Sequence, residues 1–417
     1  MRSLFAPLAL AVLCTHAPLA RAQAPTALTL HHAVSLAQTH NPDLANARLE
    51  LQAMEAAQAQ ASASPNPDLS VLIEDARNAT RTTTLQWSQP IELGGKRSAR
   101  MATAANAHKQ ALVALLAKRA ELDAAVTSRF FEALGAQEQV RLAQSALELA
   151  STAATIAAKR LHAGKVPPLE LSKAQLAQAG AQAELAQAKI EALLARQRLA
   201  LLWGEAELKF ADLDGRVDIL PELPSEQAIA AQLKQAPAVQ LAALEIERWQ
   251  ALTDAERAKR VPDLTVTLGA KRDAEQGRTQ AIIGLSMPLP FMDTNQGNLT
   301  QALRRQDQAH QALMAATLKL RADVSQALER LRLARAQAQT LREQALPVAQ
   351  FAYDAALKGY ELGKFAFLEV LDAQRSVFQL RQQILRQAAD AHRANAELAR
   401  LLGTPVQPDH ANQETKP

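Results

Sequence analysis

Aromatic side chains make up only 3% of this 417-residue chain, although 48% of its residues are hydrophobic. A chain of this length normally divides into two or three domains with aromatic-rich cores, and this one has too few rings to build them. Glycine is sparse as well, with 14 residues, and such a composition excludes a mostly-β protein and a collagen-like one. Charge of one sign is also missing: 46 basic and 42 acidic residues leave a net +4. With no basic run interleaved with aromatics, a nucleic-acid binder is excluded. Beyond the first residues no run of about 18 uninterrupted apolar residues occurs, so no helix is suited to crossing a membrane. Entry into a membrane would have to use β-strands. What is abundant is Ala, about a fifth of the chain, followed by Leu, Gln, Glu, Lys and Arg, the composition of long packed helices with seams closed by small residues.

The first residues read as a secretory signal peptide, 1–22. Arg2 precedes the apolar run Leu4–Leu13, and Ala20-Arg21-Ala22 forms an A-x-A cleavage site. Its removal takes away Cys14, the one cysteine, so the mature chain can form no disulfide. Cys14 could instead be an acylated lipoprotein cysteine, a reading disfavoured by Leu13 before it and by its place inside the apolar run.

The remainder is a tandem duplication. Pro67-Asp68-Leu69 returns as Pro262-Asp263-Leu264 at an offset of 195, and Gly164-Lys165 with Leu169-Glu170 returns as Gly363-Lys364 with Leu368-Glu369 at an offset of 199. The first repeat spans 23–204, a Pro- and Asp-containing linker 205–224, the second repeat 225–403 and a polar tail 404–417. Each repeat has the same order of parts. In the first, helical patterns near Leu28–Gln38 and on to about Ser62 are broken at Asn41-Pro42 and Ser64–Pro67. The period then switches to two, which predicts strand hairpins over 68–90 and 263–288. Gly94-Gly95 and Thr294–Gly297 open very long helices, the first proline-free from Lys96 to His162. Leu142, Leu149 and Ile156 form one seven-residue line, and Val140, Leu147, Ala154 and Leu161 form another on the opposite side. Such a helix expects neighbours on both sides. Leu313, Leu320, Ala327, Ala334 and Leu341 repeat the pattern, with a bend expected at Pro347. The long helical hairpins occupy 94–203 and 295–403. Four strands, each close to the length that crosses a bilayer, cannot close a barrel alone, so several chains must contribute. The competing reading is a pair of soluble hairpins capping a helical bundle.

The order helix, strand hairpin, long helix, tip turn and returning helix, duplicated behind a leader, resembles the outer-membrane efflux protein (TolC-like) family. Gln89–Arg97 and Pro288–Asn298 are similar to the strand-to-helix junctions of its cobalt-zinc-cadmium resistance (CzcC-like) branch, and Gly363 to Gln374 resembles the family's second-repeat tip. The resemblance implies a mainly α fold with a small β part. Three chains would make a twelve-stranded outer-membrane barrel continued by a periplasmic α-helical barrel. It also implies a homotrimer set in outer-membrane lipid, a periplasmic adaptor and an inner-membrane RND transporter, for which the chain is a passive exit duct. A multidrug or protein-secretion duct of the same fold, and a soluble periplasmic coiled-coil adaptor or scaffold, are the competing functions.

Catalytic chemistry is not found. There is no phosphate loop, no G-x-S-x-G and no Cys/His pair. His31, His32, His40, His108, His162, His310, His392 and His410 are scattered and read as surface residues. No enzyme, cofactor or bound metal is expected. The resemblance places adaptor docking at Arg160, Leu161, Gly164, Lys165, Leu362 and Gly363, where helix C-termini are expected to leave carbonyls free. It also points to a periplasmic gate. Glu369 and Asp372 share one helix face and would form an acidic ring in a threefold assembly, with Tyr360 and Lys364 as candidates to tie it shut.

Overall fold

The computed structural model describes residues 27–75, 77–205, 210 and 212–404. The expected leader, Cys14 and all of the tail beyond Thr404 lie outside the described residues. Short β1 (Leu28–Thr29) leads into α1 (Leu30–His40) and α2 (Pro42–Ala61); the hairpin β2 (Asp68–Glu74) and β3 (Thr82–Ile91) follows, then α3 (Lys96–His162) and α4 (Pro168–Ala200). After β4 (Leu213–Asp214) the same order returns as α5 (Glu226–Leu233), α6 (Pro237–Lys259), β5 (Leu264–Asp273), β6 (Arg278–Ser286), α7 (Gln296–Thr340), α8 (Leu346–Glu361) and α9 (Phe367–Leu402). Local chemistry sets these boundaries. Thr29, Asn41 and Ser225 accept bonds from the amides of His32, Leu44 and Ala228, capping α1, α2 and α5, and prolines stand in the first turns of α2, α4 and α6. At 67 residues, α3 is about 100 Å long.

Where Pro347 was expected to bend the second long helix, a π-helical turn, Leu341–Ala345, separates α7 from α8. Pro347 has no amide to donate to the Glu343 carbonyl, and the wider turn accommodates its ring. On α7 the predicted line is buried at Leu320, Ala327 and Ala334, joined by a second line through Val324, Leu331 and Ala338. On α3 the two predicted lines part, Val140, Leu147 and Ala154 packing within the chain and the other line not. The close seam runs through Ala143, Ala150, Ala154 and Ala157, whereas Leu149 and Ile156 stay exposed at 36% and 42%. Alanine lets helix axes approach most closely, so the small residues take the contact within the chain and the larger ones are left for another surface.

The four longer strands form one antiparallel sheet in the order β2-β3-β5-β6, so the two hairpins meet through β3 and β5. Register sorts the side chains. Leu69, Trp87, Leu268 and Ile283 form one row, and Val71, Leu85, Ala270 and Ala281 a second row on the same face. The opposite face carries Glu74, Thr82, Asp273 and Arg278 in one row, with Ser88 and Thr267 hydroxyls 3.1 Å apart. The apolar face lies open, with Leu69 at 71% and Ile283 at 80% exposure. Among the described residues β2 and β6 are edges with no further strand beside them. No described helix is long and apolar enough to cross a membrane.

Four of the scarce aromatics, Phe130, Phe131, Trp203 and Phe210, gather midway along the helices. Phe130 and Phe131 stand edge to face with centroids 5.6 Å apart, packed with Leu44, Leu122, Val126, Leu134, Leu199 and Trp203. The linker is no free tether: β4 pairs in parallel with β1, Gln137 bonds both the amide and the carbonyl of Leu213, and Arg342 donates to the Asp218 carbonyl. His392, expected at the surface, is buried here. Its ring stacks on Phe131 at 3.5 Å, and its Nε2 lies 3.3 Å from the Val217 carbonyl. Burial pulls its pKa down to about 4, because a charged imidazolium cannot be solvated there. In the unfolded chain this group takes up its proton near pH 6.5. Stability is therefore fully present above that pH and falls by about 3 kcal/mol as pH drops toward 4. Thermal unfolding in detergent between pH 7 and 4.5 should show this slope in the wild type and lose part of it in His392→Phe; an unchanged slope would refute the assignment.

Candidate functional site at the helical tips

Both long hairpins reverse through the same turn. Gly164 and Gly363 have φ of +67° and +72°, a left-handed conformation that side chains disfavour. The amides of Gly164 and Lys165 bond the carbonyls of Leu161 and Arg160 at 2.9 and 3.0 Å, and those of Gly363 and Lys364 bond Tyr360 and Gly359 at 3.0 and 2.8 Å. The carbonyls expected to be free for a partner are thus taken by the turns themselves. What the tips present outward is side chain: Leu362 at 63% exposure, Phe365 at 46%, and the ammonium groups of Lys165 and Lys364.

The two tips are tied to one another. Ala154 and Ala157 of α3, Ala174 of α4, Ala356 and Tyr360 of α8, and Phe367, Val370 and Leu371 of α9 bury a common apolar cluster. Small residues on the first hairpin admit the larger ones of the second. Tyr360 is the polar member. Its hydroxyl donates to Glu170 Oε1 at 2.7 Å, the Arg160 guanidinium lies 4.2 Å from its ring centroid, and Phe367 flanks the ring at 5.4 Å. Burial, reinforced by the Glu170 carboxylate, raises the Tyr360 pKa, so the hydroxyl keeps the proton it donates.

Tyr360 thus reaches Glu170 of the first repeat and neither of the expected gate acids, Glu369 and Asp372. Glu369 and Asp372 lie exposed on α9; Asp372 makes an i,i+3 pair with Arg375 at 3.8 Å, while Glu369 and Lys364 have no ion pair among the described residues. The repeat offset matches Glu170 to Glu369 and gives it no partner. That equivalence was the available signal. Arg160, expected as a docking residue, is half-buried against Tyr360. No group of three or more acids, histidines or cysteines among the described residues could hold a metal ion.

The family model for outer membrane efflux proteins matches residues 33–205 and 228–404, the two repeats in turn. The chain is 42% identical to the cobalt-zinc-cadmium resistance protein CzcC of Cupriavidus metallidurans, over 97% of this chain and 100% of that protein. Its fold matches a crystal structure of CusC with a TM-score of 0.75 at 22% identity, covering 90% of this chain and 92% of that one. It also matches the open state of the Neisseria gonorrhoeae MtrE outer membrane channel, with a TM-score of 0.76 at 20% identity, covering 91% and 89%. With a duplicated hairpin-and-long-helix architecture, a sheet of one apolar and one polar face, and a family match over most of its length, the chain belongs to the outer membrane efflux protein family, a family of outer-membrane transport channels.

Proposed function

We propose that the chain is the trimeric exit duct of a tripartite, RND-type efflux system for divalent heavy-metal cations. The observation that carries the trimer is the sheet: two open edges, β2 and β6, flank strands whose one face is apolar and exposed. In hydrocarbon every backbone group must be paired, so the edges must meet those of other copies, and three sets of four strands make a closed barrel of twelve. The exposed Leu169, Leu176 and Ile190 on α4, and Val348 and Phe351 on α8, supply helix faces for the same copies. The cargo reading rests on the 42% identity to a cobalt-zinc-cadmium resistance protein. A duct needs no tight ligand set for that cargo, since an ion held firmly does not leave. An inner-membrane RND transporter supplies the energy, and a periplasmic adaptor joins it to the tips, where Arg160, Leu161, Gly164, Lys165, Leu362 and Gly363 form the docking end.

Within the tips, the Tyr360–Glu170 bond is the latch holding the second hairpin against the first, and Glu369 with Asp372 lines the aperture as an acidic ring. Deleting the gene should sensitise the host to cobalt, zinc or cadmium and leave drug tolerance unchanged, and Leu362→Asp should mimic the deletion while the protein stays in the outer membrane. Drug sensitivity without metal sensitivity would transfer the same duct to a multidrug pump.

A further inference from the structure

We infer that the loop Leu289–Met292 is a joint between copies, seated on the α2–β2 corner of the neighbouring chain; this rests on the trimeric reading above. The duplication supplies the template. Ser88-Gln89-Pro90-Ile91 returns as Ser286-Met287-Pro288-Leu289, an offset of 198, and Pro67-Asp68 returns as Pro262-Asp263 at 195. Within one chain, the junction after β3 sits on the corner between α6 and β5. The Leu93 amide donates to Asp263 Oδ1 at 3.1 Å, Lys96 Nζ pairs with the same oxygen at 2.7 Å, and Gly94 is so close that a Cβ there would lie 2.5 Å from Val261. A side chain at Gly94, which also has φ of +68°, would have to displace that corner.

The junction after β6 is the counterpart of this one: Asn295 at its end donates to Glu256 of α6, and the loop Leu289–Met292 before it lies open. By the same offsets Met292 stands where Gly94 stands, Asn66 where Val261 stands and Asp68 where Asp263 stands. Phe291 is 84% exposed and Met292 98%. The Asp68 carboxylate and the Met292 amide have no hydrogen-bond partner among the described residues, while the amide of Phe291, the counterpart of Leu93, turns back to the Leu289 carbonyl at 3.0 Å. The acceptor and the apolar cover are each unused within a chain, at the edges that assembly would bring together. The two joints differ in chemistry. Lys96 at the start of α3 is replaced by Gln296 at the start of α7, and the second junction, 287–295, is five residues longer than the first, 92–95. The joint within a chain is an ion pair on a tight glycine turn, and the joint between copies is an apolar cover beside a carboxylate, Asp68, that meets no lysine. A surface of this kind is insensitive to salt, as an ion pair is not.

Asn66→Cys and Met292→Cys, combined in the full chain, test it under mild oxidation with a short bis-maleimide as second probe. Covalent trimers on a denaturing gel are expected from the double variant and only monomers from either single one. Phe291→Asp should raise the chain concentration at which trimers dissociate in detergent about tenfold. Native trimers without cross-links, with Met292→Cys labelled instead by a bilayer-confined maleimide, would overturn the joint and assign the loop to lipid. If the unaltered protein shows no trimer, the trimeric reading fails and the joint with it.

Discussion

Leu268→Arg is expected to remove the protein from the outer membrane. Leu268 sits mid-strand in β5, between Trp87 and Ile283 in the apolar row that begins at Leu69. In the proposed barrel that row faces hydrocarbon, where an arginine near the midplane is destabilising by about 2–4 kcal/mol. A threefold assembly meets the penalty three times, which is comparable to the whole stability of an ordinary domain. Gln86→Arg is the control. Gln86 lies beside Trp87 on β3, but its side chain is on the polar face, across from Ser70 and Gly269, where charge is solvated. Membrane fractionation and the heat-sensitive gel shift of a folded barrel should separate the two variants. Equal recovery of both would mean that the apolar face does not meet lipid, and would return the chain to the soluble-scaffold reading.

Tyr360→Phe is expected to open the channel. The substitution keeps the ring against Arg160 and Phe367 and removes only the hydroxyl that donates to Glu170. A hydrogen bond to a charged group contributes about 1.5–3 kcal/mol. If the bond exists only in the closed tip, its loss shifts the closed-to-open ratio about ten- to a hundredfold. The pH dependence has a definite sign. The raised pKa of Tyr360 favours the protonated donor, so the latch is fully present below the ordinary tyrosine range and is released as pH rises through the folded pKa. Single-channel recording should show longer open times in Tyr360→Phe and in Glu170→Gln, and the same instrument tests the acidic ring. Replacing Glu369 and Asp372 by Ala should weaken cation selectivity and block by multivalent cations while leaving the open probability set by the latch. Effects at the two places should add, because Tyr360 touches neither acid. Unchanged gating in Tyr360→Phe would reduce the bond to a packing detail.

The sheet and the tip show where sequence reasoning reached and where it stopped. Each hairpin was visible because alternation with period two is written in consecutive residues, as in Leu69, Val71 and Ile73. The pairing of β3 with β5 was not, since it joins segments some 180 residues apart and depends on how two helical repeats dock. The seam of α3 was legible only through the line Val140, Leu147 and Ala154, for a related reason. Leucine and isoleucine give the stronger apolar signal, but close helix contact selects the smaller Ala143, Ala150 and Ala157. His392 carries no mark in its neighbours of the Phe131 ring that covers it.

By itself the sequence determined the duplication, the strand hairpins, the great length of the helices, the glycine turns at their tips and the family. All of these follow from short-range rules: proline and glycine end helices, periods of two and about three and a half mark faces, and a repeat is legible by offset alone. Only the tertiary structure decided the partners. It strapped the linker to β1, gave Tyr360 to Glu170 instead of to Glu369 or Asp372, closed the tip turns on their own carbonyls, and left β2, β6 and Phe291-Met292 without cover. A side chain's reach is a few ångströms, and which groups come within it is set by the packing of elements far apart in the chain, which no local pattern records.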